Sequence, residues 1–414
     1  MRRLWLMVGM LALMLVSGRS PLHAQAEDAA YQEALRRIQA AGQSNASELD
    51  LSGLNLTALP PEIGHLAQLS TLNLFDNQLT ALPPEISQLS QLFSLDLNNN
   101  QLTALPPEIG QLIRLRYFSL TSNQLTALPP EIGELSQLQI LDLSFNQLTA
   151  LPQEIGQLAQ LQILYLNDNY LTTLPPEIGQ LTRLSYLNLK ANQLTILPPQ
   201  IGQLAQLRDL DLGDNQLTNL PPEIGQLAQL IYLDLITNQL SILPLEIGQL
   251  TQIQSLFLGD NQLTALPPEI GQLTRVFNLD LSNNQLIALP MEISQLTQLS
   301  LLRVDYNQLT ALPSEISQLA QLQYLSLGGN QLTALPRRIT WLRLSEFSVA
   351  DNPLAYPPPE VIAQGTDAII AFLRRPYPLP PMEWTATIVW VVAGMGATLY
   401  GMLWLLRWVW GGRV

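Results

Sequence analysis

Apolar residues recur along most of the chain in one fixed order. Leu138, Leu141, Leu143, Leu148, Leu151, Ile155 and Leu158 form one such set, and Leu161 to Leu181 repeat it 23 residues later. Across Leu141, Asp142 and Leu143 the period is two, which sends both leucines to one side of a short strand and Asp142 to the other. Pro152, doubled in most other units, forbids a regular strand in the return segment and favours an extended or tightly turned path. Each unit is therefore one coil that cannot enclose its own leucines. Stacked coils share a core, and their parallel strands pair at about 4.8 Å per step. Asparagines recur at the same place in every coil, from Asn77 through Asn146 to Asn330, with a shorter final unit ending at Asn352. Their amides can satisfy the bent backbone between coils, so they are read as structural.

The repeated residues Leu-x-x-Leu-x-Leu-x-x-Asn-x-Leu-x-x-Leu-Pro resemble the leucine-rich-repeat family over roughly residues 49 to 354. The resemblance implies an α/β fold, a curved right-handed solenoid with a parallel sheet on its concave face, and a family role in binding proteins or other ligands there. The stretch from Asn352 to Ile370 resembles the junction by which bacterial Roco proteins end their repeats, but no Gly-x-x-x-x-Gly-Lys-Ser/Thr loop follows it.

Both ends of the solenoid need covers. Asp28 is expected to cap a helix presenting Tyr31, Ala34, Leu35 and Ile38, with Gly42 closing it; Thr366 is expected to cap another presenting Ile369, Ile370 and Leu373. Ahead of these, Arg2 and Arg3, the apolar run Leu4 to Val16 and Ala24-Gln25-Ala26 read as a secretory signal cleaved before Glu27. At the far end, Thr385 to Leu406 is uncharged and long enough for a membrane helix, flanked by Trp384, Trp408, Trp410 and Arg407. Small residues at Ala393, Ala397 and Gly401 suit homodimer packing of such a helix.

The predicted organisation is a signal peptide (1–26), a capping helix (27–45), repeats (46–354), a C-terminal cap (355–375), a proline-rich spacer (376–383), a transmembrane helix (384–406) and a short tail (407–414). It predicts a single-pass protein of the cytoplasmic membrane, with the repeats on the extracytoplasmic side. The rival readings are an adhesion spacer without a defined ligand and a cytoplasmic Roco relative.

Composition narrows the chemistry. The net charge of −14 argues against nucleic-acid partners, and the absence of cysteine removes disulfides, thiolate metal sites and cysteine nucleophiles. His23 and His65 form no constellation, and repeated aspartates at one coil position favour a structural over a glycosidase role, so no enzyme and no cofactor are expected.

Strand period places the third, fifth and seventh positions of each Leu-to-Asn stretch on the solvent face of the sheet, with the second and eighth at its edges. Acids and aromatic rings concentrate there between Tyr165 and Asp280. The candidate ligand-binding residues are Tyr165, Asp168, Tyr186, Asp209, Asp211, Asp214, Tyr232, Asp234, Phe257, Asp260 and Asp280. Acids steer cations and rings supply rigid contact area, so the expected partner is a basic or polar protein or a cell-envelope ligand.

Overall fold

The computed structural model describes residues 21–375, with side chains described from residue 29. An N-terminal helix α1, Pro21–Ser44, leads into fourteen three-residue strands, from β1 (Glu48–Asp50) to β14 (Glu346–Ser348). Five-residue 3₁₀ turns alternate with the strands, and short helices α2 (Pro359–Ile362) and α3 (Thr366–Leu373) follow the last strand. All fourteen strands lie in one parallel sheet in chain order. Each position pairs with its equivalent one coil away, as Asn188↔Asp211 and Asp211↔Asp234 show. The chain divides into units Met1–Ile369 and Ile370–Val414, and the whole sheet belongs to the first.

The coil closes around its apolar set as the sequence pattern requires: Leu138, Leu141, Leu143, Leu148, Leu151, Ile155 and Leu158 are all buried. The return segment takes a 3₁₀ path that in most coils starts on proline at its first residue, as at Pro176, where the fixed φ fits and the missing N–H costs nothing. The asparagine ladder ties neighbouring coils together. Asn146 donates Nδ2–H to Leu120 O (2.9 Å) and Leu143 O (3.1 Å) and accepts from Leu125 N–H at Oδ1 (3.0 Å).

Two local devices end the strands after three residues, the first in eight of the fourteen and the second in all of them. At the fifth position an acid or amide folds back onto the backbone: Asp142 Oδ1 accepts from Ser144 N–H (3.0 Å), and Asp96 and Asn188 do the same at their own coils. This bond withdraws the seventh-position N–H from the ladder. At the eighth position the backbone turns left-handed, with φ from 52° to 57° at Asp76, Ser122, Thr237 and Asn283 among others.

The ends depart from expectation in three ways. Helix α1 begins at Pro21, so Asp28 lies inside it, and the helix runs through Ala24 to Ala26 without a break. Its closure is made by Asn45 at φ 48°, with Ala46 N–H donating to Ala41 O (2.9 Å), and not by Gly42. Thr366 does stand first in α3, but its hydroxyl accepts from Phe347 N–H of β14 (2.8 Å), binding the last strand. Ala34, Ile38 and Ala41 form the buried stripe of α1, and Ile369 is buried in α3.

The expectation of a membrane-spanning fold is corrected. Among the described residues no helix is long and apolar enough to cross a membrane; α2 and α3 hold four and eight residues against the roughly 20 a span requires. The fold is a parallel-strand solenoid with helices at its ends, and no span among the described residues supports the single-pass membrane location. Residues 384–406, including Ala393, Ala397 and Gly401, lie outside the described residues, as do 1–20 and 376–383.

Candidate functional site

Three rows of side chains run across the sheet, one for each solvent-facing coil position. Register puts Tyr186, Asp209, Tyr232 and Ser255 side by side in the third-position row. The fifth-position row reads Tyr165, Asn188, Asp211, Asp234, Phe257 and Asp280. The seventh-position row places Lys190 before Gly213. Strand pairing thus brings eight of the eleven predicted residues onto one face.

Two aromatic pairs bracket the acids. Tyr165 and Tyr186 approach with ring centroids 5.1 Å apart, and Tyr232 and Phe257 with 5.5 Å. Between them lie Asp211 and Asp234 on adjacent strands, each committing Oδ1 to a turn N–H, Gly213 (3.0 Å) and Ile236 (2.9 Å) respectively. Tyr232 Oη donates to Asp234 Oδ2 (3.0 Å). Gly213 keeps the seventh row open: a Cβ there would lie 3.3 Å from Asp211 Oδ1 and 3.5 Å from Asp234 Oδ1. The result is a slot of carboxylate oxygens walled by rings.

Charge in the slot is only partly compensated. Burial raises the Asp211 pKa above its ordinary value; the bond from Gly213 opposes this, and the neighbouring Asp234 carboxylate adds to it. Burial raises Asp209 as well, against the pull of Arg208. Burial and the Asp234 charge together hold the Tyr232 phenol far above its usual range, so it remains a neutral donor. Lys190 Nζ stands 3.4 Å from Asp214 Oδ2. Burial would lower that ammonium's pKa, but Asp214, with Asp211 and Asp234 behind it, outweighs the burial and raises it.

The remaining predicted residues serve other ends. Asp168, Asp214 and Asp260 occupy the left-handed eighth position, with φ of 55°, 53° and 54°, where a short polar side chain relieves the backbone. Asp280 is buried; its Oδ1 accepts from Ser282 N–H (2.9 Å) and Ser282 Oγ–H (2.5 Å), and its Oδ2 faces Arg303 Nη1 at 3.7 Å. It is spent on its own turn and ion pair. Sequence reasoning passed over Lys190, although a lone lysine at a face position among acids was a visible signal, and it passed over Gly213, whose role depends on the neighbouring strand. Among the described residues no group of three or more acids or histidines is placed to hold a metal ion.

A family model described as a leucine-rich repeat region matches residues 104–191, 176–258 and 246–327, and one described as a leucine rich repeat matches 44–102. These matches stop short of the stretch after Asn352, and they show no likeness of it to the Roco junction. Among curated proteins none matches. A leucine-rich-repeat protein of Leptospira interrogans is similar in structure at TM-score 0.70 and 42% identity, over 78% of this chain and 89% of that one. The ectodomain of the Arabidopsis thaliana membrane receptor kinase GASSHO1/SCHENGEN3, solved in complex with Casparian strip integrity factor 2, is similar at TM-score 0.55 and 30% identity, over 76% of this chain and 46% of that one. An internalin of Listeria monocytogenes shares the fold at TM-score 0.60 and 22% identity, over 79% and 91% of the two chains.

Proposed function

The chain belongs to the leucine-rich-repeat family, and on that footing we propose that it is a recognition protein whose sheet face binds a basic segment of a protein or peptide partner. Proteins of this family are in general scaffolds for protein–protein recognition rather than enzymes. The observation that carries the reading is the pair of half-buried carboxylates, Asp211 and Asp234, set between Tyr165–Tyr186 and Tyr232–Phe257.

The chemistry follows from desolvation. Each carboxylate spends one oxygen on its own turn, leaving Asp211 Oδ2 for a ligand and Asp234 Oδ2 shared with the Tyr232 hydroxyl. An arginine or lysine entering the slot meets paired acids in a partly dry site, where charge-assisted hydrogen bonds are stronger than at open surface. Its aliphatic stem lies against the rings, and a guanidinium can stack on them. Lys190 already neutralises Asp214 at the rim, so it opposes a cation entering beside it.

The test is selection of binding peptides from a random displayed library on the full chain. The expected result is enrichment of sequences with an arginine or lysine beside an apolar residue, with affinity falling at least tenfold in Asp211→Asn/Asp234→Asn. Enrichment without basic residues, or unchanged affinity in that variant, would remove the reading and favour a spacer.

A further inference from the structure

Opposite in charge to the acidic slot is the edge where each coil enters its strand. From β2 (Thr71–Asn73) to β14, the residue before the first apolar residue of each unit and the residue after it include no aspartate or glutamate in any coil. Arginines stand there instead: Arg114 and Arg116 before β4 (Tyr117–Ser119), Arg183 before β7 (Tyr186–Asn188), Arg208 before β8 (Asp209–Asp211), Arg275 before β11 (Asn278–Asp280) and Arg343 before β14. At about 4.8 Å per coil, Arg183 and Arg208 stand about 5 Å apart in adjacent coils, and each other step along the line spans three coils, about 14 Å.

Three open grooves lie on this edge, and each joins an aromatic ring to arginine and glutamine. The first, of about 600 Å³, is lined by Gln91, Phe93, Arg114 and Arg116, with the Arg116 guanidinium 5.3 Å from the Phe93 ring centre. A second, of about 560 Å³, holds Gln254, Arg275 and Phe277. In the third, of about 670 Å³, Gln321 and Arg343 stand beside Trp341, the most exposed large apolar side chain described, at 68%.

The arginines lean on amides. Arg114 Nη1 donates to Gln91 Oε1 one coil back (2.6 Å), and Arg183 to Gln160 and Arg275 to Gln252 repeat the arrangement. Among the described residues none of these six arginines lies within ion-pair distance of a carboxylate, although Arg208 exerts a charge effect on Asp209 beside it. Their charge is preorganised and not cancelled.

We propose that this edge binds a linear acidic polysaccharide. Rings offer an apolar platform to the C–H face of a sugar, glutamine amides match its hydroxyls, and the guanidinium fork suits a carboxylate or sulfate. Recurrence of the set along one line suits a polymer rather than a single small anion. The net charge of −14 opposes any polyanion alike; what favours a polysaccharide over a nucleic acid is the recurring glutamine amides, which match hydroxyls that a sugar polymer presents on every ring.

The test uses the full-length chain on immobilised heparin, with neutral dextran, polyglutamate and a thymidine oligonucleotide as comparison probes. Two variants install residues that other coils already carry at the same positions, which protects the fold. Arg114→Gln/Arg116→Gln/Arg275→Gln should weaken heparin binding at least tenfold, and Phe93→Ser/Phe277→Ser should weaken it at least threefold with every charge retained. Dextran should not bind. Absence of heparin binding, indifference to the phenylalanine variant, or equal or tighter binding of polyglutamate or the oligonucleotide would overturn the proposal. The acidic slot takes no part in this measurement, so its failure would leave the edge untouched.

Discussion

Asn215 shows what a single residue contributes to a stacked coil. Its Nδ2 donates to Leu189 O, Leu212 O and Gly213 O at 3.0, 3.0 and 3.1 Å, and its Oδ1 accepts from Leu194 N–H at 3.0 Å. Replacing it with alanine leaves several buried backbone groups without partners, at about 1–3 kcal/mol for each unsatisfied group. Asn215→Ala should therefore lower unfolding stability by about 3–5 kcal/mol in a denaturant titration; a loss below about 1 kcal/mol would mean that water replaces the amide. Asp211 behaves in the opposite way. Its pKa is raised by burial and by Asp234, so the folded state binds more protons than the unfolded chain, and stability falls as pH rises from the ordinary carboxylate value through the raised one. Asn at the fifth position holds the same turn at Asn188 (3.0 Å). Asp211→Asn should accordingly keep or raise Tm at pH 7 while losing affinity for basic peptides, and a lowered Tm would count against the slot as a strained, functional feature. Affinity of the parent for such peptides should weaken as pH falls towards the carboxylate range, because protonation discharges the slot.

The strand and the turn after it form the smallest independent element, and its sequence preferences are conformational. The eighth position is left-handed in every full coil, and Asp, Asn or Gly occupies it in most. Thr237 is an exception at φ 56°, and its branched Cβ pays the steric cost of that region. Thr237→Asn should stabilise the chain by about 1 kcal/mol in thermal or denaturant unfolding, and no change would show that neighbouring coils already absorb the strain. At the N-terminal element, Glu33 is held to about 2 by hydrogen bonds from Arg36 and Arg37. Its folded pKa lies below the ordinary 4.5, so its contribution is present above that value and is lost as pH falls towards 2.

On the scale of the first unit, stability is a sum of coils and the interfaces between them. Removing residues 285–307, one full period, keeps every later residue in register with its neighbour. Such a variant should remain folded, with a far-UV spectrum of the same shape, a modestly lower Tm and undiminished binding at the slot. Removing 285–304 shifts each following leucine off its ladder position and should yield a partly unfolded, aggregation-prone chain. Equal outcomes for the two deletions would refute coil-by-coil additivity.

The 23-residue period was sufficient to identify the coil, its buried leucines, the parallel register and the asparagine ladder, because each depends on spacing alone and repeats until coincidence is excluded. It also identified the face positions, which is why Tyr165, Tyr186, Asp209, Asp211, Tyr232, Asp234 and Phe257 fall together. What each acid does there was not legible. Asp280 is consumed by Ser282 and Arg303, Asp168, Asp214 and Asp260 answer to backbone twist, and Lys190 reaches Asp214 one coil away. The acid-free edge likewise emerges only once coils are stacked, since its arginines are separated along the chain by up to three periods. Periodicity dictates which side of a strand a residue faces; the distance between two side chains on that side, and so their charge and their chemistry, is set by how the coils pack.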